Sequence, residues 1–138
     1  MKLSSSHAEL FDLAKSVRLK AYSPYSKVKV GAALRTTDGQ VFTGCNVENS
    51  SFGATICAER TAVVKAASAG AREIREIVIV TDATPAWPPC GMCRQVLSEF
   101  MPPKGDLTIV LVNLQGEAKR TSLKKLLPEM FSPRHMKV

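Results

Sequence analysis

The sequence predicts an α/β fold with three layers, in which a mixed five-stranded sheet lies between two layers of helices. Helical and strand patterns alternate along the chain, which is typical of a sheet covered on both faces. An Asp-Gly pair joins the first two strands as an antiparallel hairpin, and two later strands are continuous apolar runs of the kind buried on both faces. We expect the 138 residues to form a single domain over 1–138, since this length buries a sufficient core without disulfides.

A helix followed by a break opens the chain. Ser6 and Glu9 have the spacing of a capping box, and apolar side chains recur behind them at helical spacing. The helix is predicted over residues 6–21. It ends before Pro24, because proline lacks an N–H donor and disfavours helical geometry in the residue before it.

A β-hairpin is predicted next. Residues 28–36 and 41–46 are β-prone, and Asp38-Gly39 lies between them, which is a strong hairpin signal. The small residues at 31–33 indicate that a helix or a ligand packs closely against the first strand.

The rest of the chain alternates helices and strands after an irregular, polar connection. The predicted elements are a helix over 57–70, a strand over 76–81, a Pro-rich loop over 84–89, a helix that ends before Pro102, strands over 107–112 and 118–121, and a short helix over 122–127. Residues 129–138 are predicted to be mostly tail.

Composition and charge limit the class of protein. Hydrophobic residues make up 45% of the chain and charged residues 22%, values typical of globular proteins. Apolar runs are too short to cross a bilayer and the N-terminus lacks a signal-peptide pattern, so we expect a cytoplasmic protein without a membrane partner. The net charge of +7 is not accompanied by an Arg/Lys block or a nucleic-acid-binding motif. We interpret it as solvated surface and expect no nucleic-acid partner.

Three of the four cysteines form a candidate zinc site. Cys57 begins one predicted helix, and Cys90 and Cys93 lie at the start of the next. Unpaired N–H groups and the positive end of the helix dipole favour thiolates at such positions. Three protein ligands leave one tetrahedral position open, as in catalytic zinc sites. Cys45 could in principle complete a four-cysteine site, but we expect it to be a buried structural residue of the second strand.

Charged residues beside these ligands indicate proton transfer and charge balance. Glu59 follows Cys57 by two positions, so its side chain points in a different direction from the ligand. It can take a proton from a water in the open position and pass it to a substrate nitrogen. Three thiolates give the site a net negative charge, which a neighbouring donor would moderate. Arg60 and Arg94 are the candidates, with surface ion pairs as the alternative for each.

The two cysteine segments carry a family resemblance. Residues 57–59 (Cys-Ala-Glu) and 89–93 (Pro-Cys-Gly-Met-Cys) resemble the zinc-deaminase signature, in which a His or Cys two residues before a Glu is combined with Pro-Cys-x-x-Cys. The all-cysteine ligand set is similar to that of the small homotetrameric cytidine deaminases, and the likeness extends over 22–128. It implies one Zn²⁺ per subunit. It also implies hydrolysis of cytidine or deoxycytidine to uridine or deoxyuridine and ammonia, a reaction of pyrimidine salvage.

The resemblance also implies roles for individual residues. In that family the residues that match Asn46 and Glu48 bind the ribose hydroxyls, and an amide and a carboxylate on one loop are chemically suited to this. The backbone around Ala58 would read the pyrimidine edge, and Glu59 would contact the ring N3. Phe131 matches a phenylalanine that closes the site from a neighbouring subunit.

Some positions depart from the family pattern. Val28 replaces a phenylalanine that lies against the cytosine, and losing such a stacking partner costs about 1–3 kcal/mol. We expect Val28 to leave a roomier pocket that accepts C5- or N4-substituted cytidines. Phe52 replaces a tyrosine, so a hydroxyl is missing there. Trp87 lies near enough to Cys90 in sequence to line the pocket, although packing or an interface would also account for it.

Other functions remain open at this point. A deaminase of modified cytosine nucleosides or of blasticidin-type analogues would use the same zinc segments, although blasticidin-deaminating relatives lack the Asn-x-Glu pattern of 46–48. A structural zinc protein that binds nucleic acid would have four zinc ligands and no use for Glu59. A binding protein with a deaminase fold but no activity would not need a proton carrier either.

Overall fold

Helices and strands alternate along residues 2–136, the part of the chain that this computed structural model describes. In chain order the elements are α1 (Ser5–Arg18), β1 (Gly31–Thr36), β2 (Val41–Cys45), α2 (Ala58–Ser68), β3 (Ile74–Thr81), α3 (Gly91–Glu99), β4 (Thr108–Asn113), β5 (Ala118–Ser122), α4 (Leu123–Leu126) and α5 (Pro133–Met136). A 3₁₀ turn at Phe52–Ala54 interrupts the connection between β2 and α2. Within the described residues, every helix is too short or too polar to cross a membrane.

The strands form one mixed sheet in the order β2-β1-β3-β4-β5. β1 pairs antiparallel with β2 and β3, β3 pairs parallel with β4, and β4 pairs antiparallel with β5. The central strands β3 and β4 are buried along almost their whole length. The predicted mixed five-stranded sheet and its leading hairpin are therefore confirmed.

Apolar cores lie on both faces of the sheet. Alternate residues of a strand point to opposite faces, so Ile77 and Ile79 of β3 pack in the core that α2 and α3 cover. Val78 and Val80 pack on the other face with Leu10 of α1. This division confirms the three-layer arrangement of helices, sheet and helices.

Two glycines allow helices to lie directly on the sheet. A Cβ atom on Gly31 would overlap the backbone oxygen of Ala14 in α1, and one on Gly44 would overlap the backbone nitrogen of Ala62 in α2. The expectation that an element packs closely against the first strand is confirmed, and that element is α1. The contact at Gly44 also fixes α2, whose first turn carries the candidate site.

The start of α1 differs from the prediction. The N-cap is Ser4, whose hydroxyl accepts a hydrogen bond from the backbone N–H of His7 at 3.2 Å. The predicted capping box of Ser6 and Glu9 is wrong, because the Glu9 carboxylate lies 3.4 Å from the Arg35 guanidinium and does not fold back onto the helix start.

Other parts of the prediction also differ from the structure. The first strand begins only at Gly31, because the segment before it is hydrogen-bonded to a side chain instead of to a neighbouring strand. The predicted tail contains the short helix α5, and its last residues, 137 and 138, lie outside the described residues.

Candidate active site

Three cysteine sulfurs meet where α2 and α3 begin. Cys57 is the N-cap of α2, Cys90 is the N-cap of α3, and Cys93 lies in the first turn of α3. The Sγ atoms all lie within 4.8 Å of one another, and those of Cys57 and Cys90 are 3.8 Å apart. The structure thus brings together the predicted ligands at two helix starts.

The geometry of this donor set fits a zinc ion. Zinc–sulfur bonds of about 2.3 Å in a tetrahedral site separate two sulfurs by about 3.8 Å, which matches the distance between the Sγ atoms of Cys57 and Cys90.

Cys45 does not join this group of sulfurs. It ends β2, an edge strand of the sheet, and is partly exposed, so its expected burial is wrong.

Hydrogen bonds among the sulfurs make their proton affinities unequal. The sulfur of Cys57 accepts a hydrogen bond from Cys93, which outweighs burial and, with further contacts to Arg60 and Cys90, lowers the pKa of Cys57 to about 5. The same hydrogen bond, together with burial, raises the pKa of Cys93. A metal ion binds thiolates, so its binding would displace the proton that Cys93 retains.

Arg60 lies beside this cluster, and Arg94 does not serve it. The Nη2 atom of Arg60 lies 3.6 Å from Cys57 Sγ, while its Nε is buried without a hydrogen-bond partner among the described residues. Arg94 instead donates from Nε to Pro89 O at 2.7 Å and from Nη1 to Leu126 O at 2.8 Å. Arg94 therefore connects the cysteine loop to α4, whereas the charge of Arg60 acts on the sulfur of Cys57.

Glu59 is buried in the first turn of α2, with 5% of its surface exposed. Burial raises the pKa of Glu59 to about 7, and the negative charge of Cys57 adds to this effect. A carboxyl group with a pKa near 7 can accept and release a proton at neutral pH. Its position and its pKa both suit the predicted role in proton transfer.

A cavity of about 350 Å³ opens onto these groups. This volume lies within the range of about 300–1,000 Å³ that is usual for small-molecule sites. Its lining includes two of the cysteines, Glu59, and the predicted substrate-binding residues Val28, Asn46, Glu48 and Ala58.

Asn46 has a second role that sequence reasoning missed. Its Oδ1 accepts a hydrogen bond from Val30 N, and its Nδ2 donates to Val28 O, both at 2.8 Å. The side chain therefore holds the segment before β1 in place beside the cavity. An amide has two donors and two acceptor lone pairs, so one donor and one lone pair remain for a ligand.

Glu48 also joins two parts of the site. Its carboxylate accepts hydrogen bonds from the backbone N–H groups of Tyr25 at 3.0 Å and Ser26 at 3.1 Å, and from the Ser26 hydroxyl. The hydrogen bond from the Ser26 hydroxyl lowers the pKa of Glu48, and the two N–H groups add to this effect. Together they outweigh desolvation, which acts in the opposite direction. The residue is thus an ionised acceptor at the wall of the cavity.

The aromatic residues singled out in the sequence fall in different places. Trp87 lines the cavity, and its backbone N–H donates to the Thr81 hydroxyl at 3.2 Å. Phe52 is exposed and packs edge-on against Tyr25. Phe131 is also exposed and does not line this cavity. Thr81 was missed, although it ends a central strand beside a parallel neighbour, where ligands commonly bind.

Comparisons with known proteins agree with this geometry. The family model described as the zinc-binding region of cytidine and deoxycytidylate deaminases matches residues 4–105. A cytidine deaminase from Sporosarcina psychrophila is 47% identical over 119 residues, which is 86% of each chain. A probable cytidine deaminase from Dictyostelium discoideum is 46% identical over 88% of this chain and 80% of its own.

Solved structures give the same result. A cytidine deaminase from Burkholderia pseudomallei superposes with a TM-score of 0.85 at 50% identity, over 91% of this chain and 98% of its own. One from Mycobacterium tuberculosis gives a TM-score of 0.78 at 37% identity, over 93% of this chain and 98% of its own.

Among the proteins similar in sequence, a blasticidin-S deaminase from Bacillus cereus is more distant, at 29% identity over 94% of this chain and 95% of its own. This chain belongs to the cytidine and deoxycytidylate deaminase family.

Proposed function

We propose that this protein is a zinc-dependent cytidine deaminase, which hydrolyses cytidine and deoxycytidine to uridine and deoxyuridine with release of ammonia. The observation that carries the proposal is a cluster of three cysteine sulfurs, two of which line a cavity together with the buried carboxyl of Glu59. The cytidine deaminases at 46–47% identity support the same activity.

Cys57, Cys90 and Cys93 would hold the zinc ion. When bound there, zinc supplies the Lewis acidity that makes a water molecule nucleophilic near neutral pH. Arg60 places a positive charge 3.6 Å from one of the sulfurs. That charge offsets the excess negative charge of three thiolates, which would otherwise weaken the Lewis acid.

Glu59 would carry the protons of the reaction. It takes a proton from the attacking water and delivers it to N3 of the cytosine. It then transfers the second water proton to the 4-amino group as the C4–N bond breaks, so that cytidine and water become uridine and ammonia. The buried position of Glu59 and its pKa of about 7 suit a group that must accept and release protons in turn.

The nucleoside would lie between the sulfur cluster and the turn at residues 23–27. Glu48 is an ionised acceptor and Asn46 keeps one free donor, so together they suit the two hydroxyls of a ribose. The backbone of Ala58, at the start of α2, would face the edge of the pyrimidine.

Replacement of Glu59 tests the activity. We expect purified protein to remove the cytosine absorbance of cytidine, and Glu59→Gln to lower kcat by about 10²–10⁴-fold, because proton transfer is lost. Zinc content should stay near one ion per chain in both proteins. The exposed Glu99 provides a matched control, Glu99→Gln, with unchanged activity. Failure to deaminate cytidine, deoxycytidine or a close analogue, combined with salt-dependent RNA binding, would support a structural zinc protein instead.

We further propose a homotetramer in which Phe131 reaches the site of a neighbouring subunit. The family resemblance supports this, and the exposed Phe131 side chain lies outside the lining of its own cavity. We expect a tetramer by sedimentation. Mixing the weakly active variants Glu59→Ala and Phe131→Ala under exchange conditions should restore activity, because a subunit with intact Glu59 then receives Phe131 from its neighbour. Additive rates without recovery would exclude a shared site.

The cytoplasmic location expected from the sequence stays a prediction.

A further inference from the structure

We propose, building on the deaminase function above, that the active-site cavity continues into a basic side cavity that accepts a carboxylate attached to C5 of the cytosine ring. The side cavity has a volume of about 230 Å³. Val28 and Trp87 line both this space and the active-site cavity. The two spaces therefore share these two side chains as walls, and movement of the side chains would join them.

Arg18, the last residue of α1, provides the innermost positive charge of the side cavity. Its side chain is only 13% exposed, and its Nε donates to Lys29 O at 3.0 Å. The Nη2 atom lies 3.9 Å from Asp82 Oδ2, which is beyond hydrogen-bond distance. Among the described residues the terminal N–H groups thus make no hydrogen bond, and Nη2 forms only a long ion pair with the exposed Asp82 carboxylate, with which an entering anion would compete.

Two lysines add to this charge. Lys27 and Lys29 line the same space, and Asp82 is the single carboxylate in the lining. Three cationic side chains against one anionic side chain give a net charge of +2. The Asp82 side chain is 64% exposed, so solvent screens its charge more than that of Arg18. The side cavity is therefore suited to a negatively charged group.

The chemistry of the substrate identifies where that group is attached. N1 of cytosine carries the sugar, while N3 and C4 face Glu59 and the sulfur cluster in the proposed reaction. C5 and C6 are the ring carbons that remain, and C5 is the one next to the reacting C4, whereas C6 lies beside the nitrogen that carries the sugar. A carboxylate is planar and accepts two parallel hydrogen bonds from a guanidinium, and the Nη atoms of Arg18 make no such bond among the described residues.

The test compares an acid with its neutral isostere. We would measure kcat/KM for 5-carboxycytidine and 5-carbamoylcytidine with the wild-type protein and with the double variant Lys27→Asn/Lys29→Gln. Asparagine suits position 27, where φ is 64°, because it tolerates the left-handed region. The ratio of acid to amide should fall about tenfold, since each exposed charge contact contributes up to about fivefold. Because intrinsic reactivity is the same for both proteins, it cancels in this comparison.

Controls separate the side cavity from the deaminase activity itself. Lys119→Gln/Lys124→Gln removes two exposed positive charges at β5 and α4 and should leave the ratio unchanged. Cytidine turnover should be unchanged in Lys119→Gln/Lys124→Gln. It is also measured for Lys27→Asn/Lys29→Gln, because any general effect of that variant on nucleoside binding is common to acid and amide and divides out of their ratio. An unaltered acid-to-amide ratio with normal cytidine turnover would overturn the side cavity alone, whereas absence of cytidine turnover in the wild-type protein would overturn the proposed function.

Binding provides a second measurement if the acid is not turned over. In that case the inhibition constants of the acid and of the amide are measured with cytidine as the substrate, and their ratio is compared between the variants. Arg18→Gln should weaken inhibition by the acid more than by the amide. Inorganic phosphate that competes with the acid but not with the amide would support the anion site. Equal competition with both would contradict it.

Discussion

Val28 lines the cavity, so the proposed nucleoside site has no aromatic side chain at this position to stack on the base. Val28→Phe is expected to lower kcat/KM for N4-methylcytidine and 5-methylcytidine about tenfold relative to cytidine, because the ring fills space next to the base. Cytidine itself should bind as well or better, since stacking on an aromatic side chain contributes about 1–3 kcal/mol. Val64→Phe, at an exposed position on α2, serves as control. The same substrate preference in wild type and Val28→Phe would show that Val28 does not set specificity.

Single residues were predictable from the sequence where their chemistry is local. Cys57 and Glu59 lie two positions apart, and Cys90 and Cys93 lie three apart, so their positions at two helix starts follow from the local sequence. Asn46 was predictable only in part. Its hydrogen bonds to Val28 and Val30 depend on the register of the hairpin, which no single position encodes. Arg94 was misjudged for the same reason, because its partner Leu126 lies 32 residues away.

The contact between β2 and α2 holds in place the helix start that carries two residues of the candidate active site. Gly44 lies so close to α2 that a Cβ would overlap the backbone of Ala58 and Ala62. Gly44→Ala is therefore expected to lower the free energy of unfolding by about 1–3 kcal/mol and to displace the helix start that carries Cys57 and Glu59. Urea unfolding and zinc content would measure these two effects.

A matched glycine provides the control for this contact. Gly53 lies in the 3₁₀ turn and has nothing within 4 Å of an added Cβ, so Gly53→Ala should leave stability within about 0.5 kcal/mol of wild type. Equal effects of the two substitutions would show that close packing at Gly44 does not support the site.

Elements were predicted well where the hydrophobic pattern is strong and poorly at their ends. The two helix starts with cysteines and the buried strand β3 follow from the sequence. The cap of α1 was placed two residues late, because Ser4 and Ser6 are chemically equivalent and only the position of Glu9 near Arg35 decides between them. The helix α5 was missed, since its four residues have too short a pattern to detect.

At the scale of the molecule, the alternation of elements predicted the sheet and its layers. It did not predict the charged contacts that join α1 to the sheet. Glu76 of β3 is 6% exposed and contacts His7 of α1 at 2.7 Å and Arg35 of β1 at 3.0 Å. These residues are 69 and 41 positions away from Glu76. Such a cluster cannot be predicted from sequence spacing, because its members come together only in the folded chain.

This buried cluster makes the stability of the whole fold depend on pH. Burial opposes the charge of Glu76, but hydrogen bonds from Arg35 and His7 outweigh it, so the pKa of Glu76 is lowered from its ordinary value of 4.5. A group with a lowered pKa stabilises the fold above its unfolded pKa, and that contribution is lost as the pH falls through the folded pKa. Ionised Glu76 therefore contributes fully at pH 7 and progressively less below about pH 4.5.

Glu76→Gln isolates this contribution, because glutamine resembles the protonated acid. The wild-type protein should unfold with a higher free energy than Glu76→Gln at pH 7, and the difference should shrink as the pH falls below about 4.5 and through the lowered pKa of Glu76. Denaturant unfolding at a series of pH values measures it, and release of metal in acid cancels because it affects both proteins. Glu73→Gln, at an exposed neighbouring position, should show no such difference at pH 7. A Glu76→Gln difference that stays constant with pH would show that packing, and not charge, is what the buried carboxyl contributes.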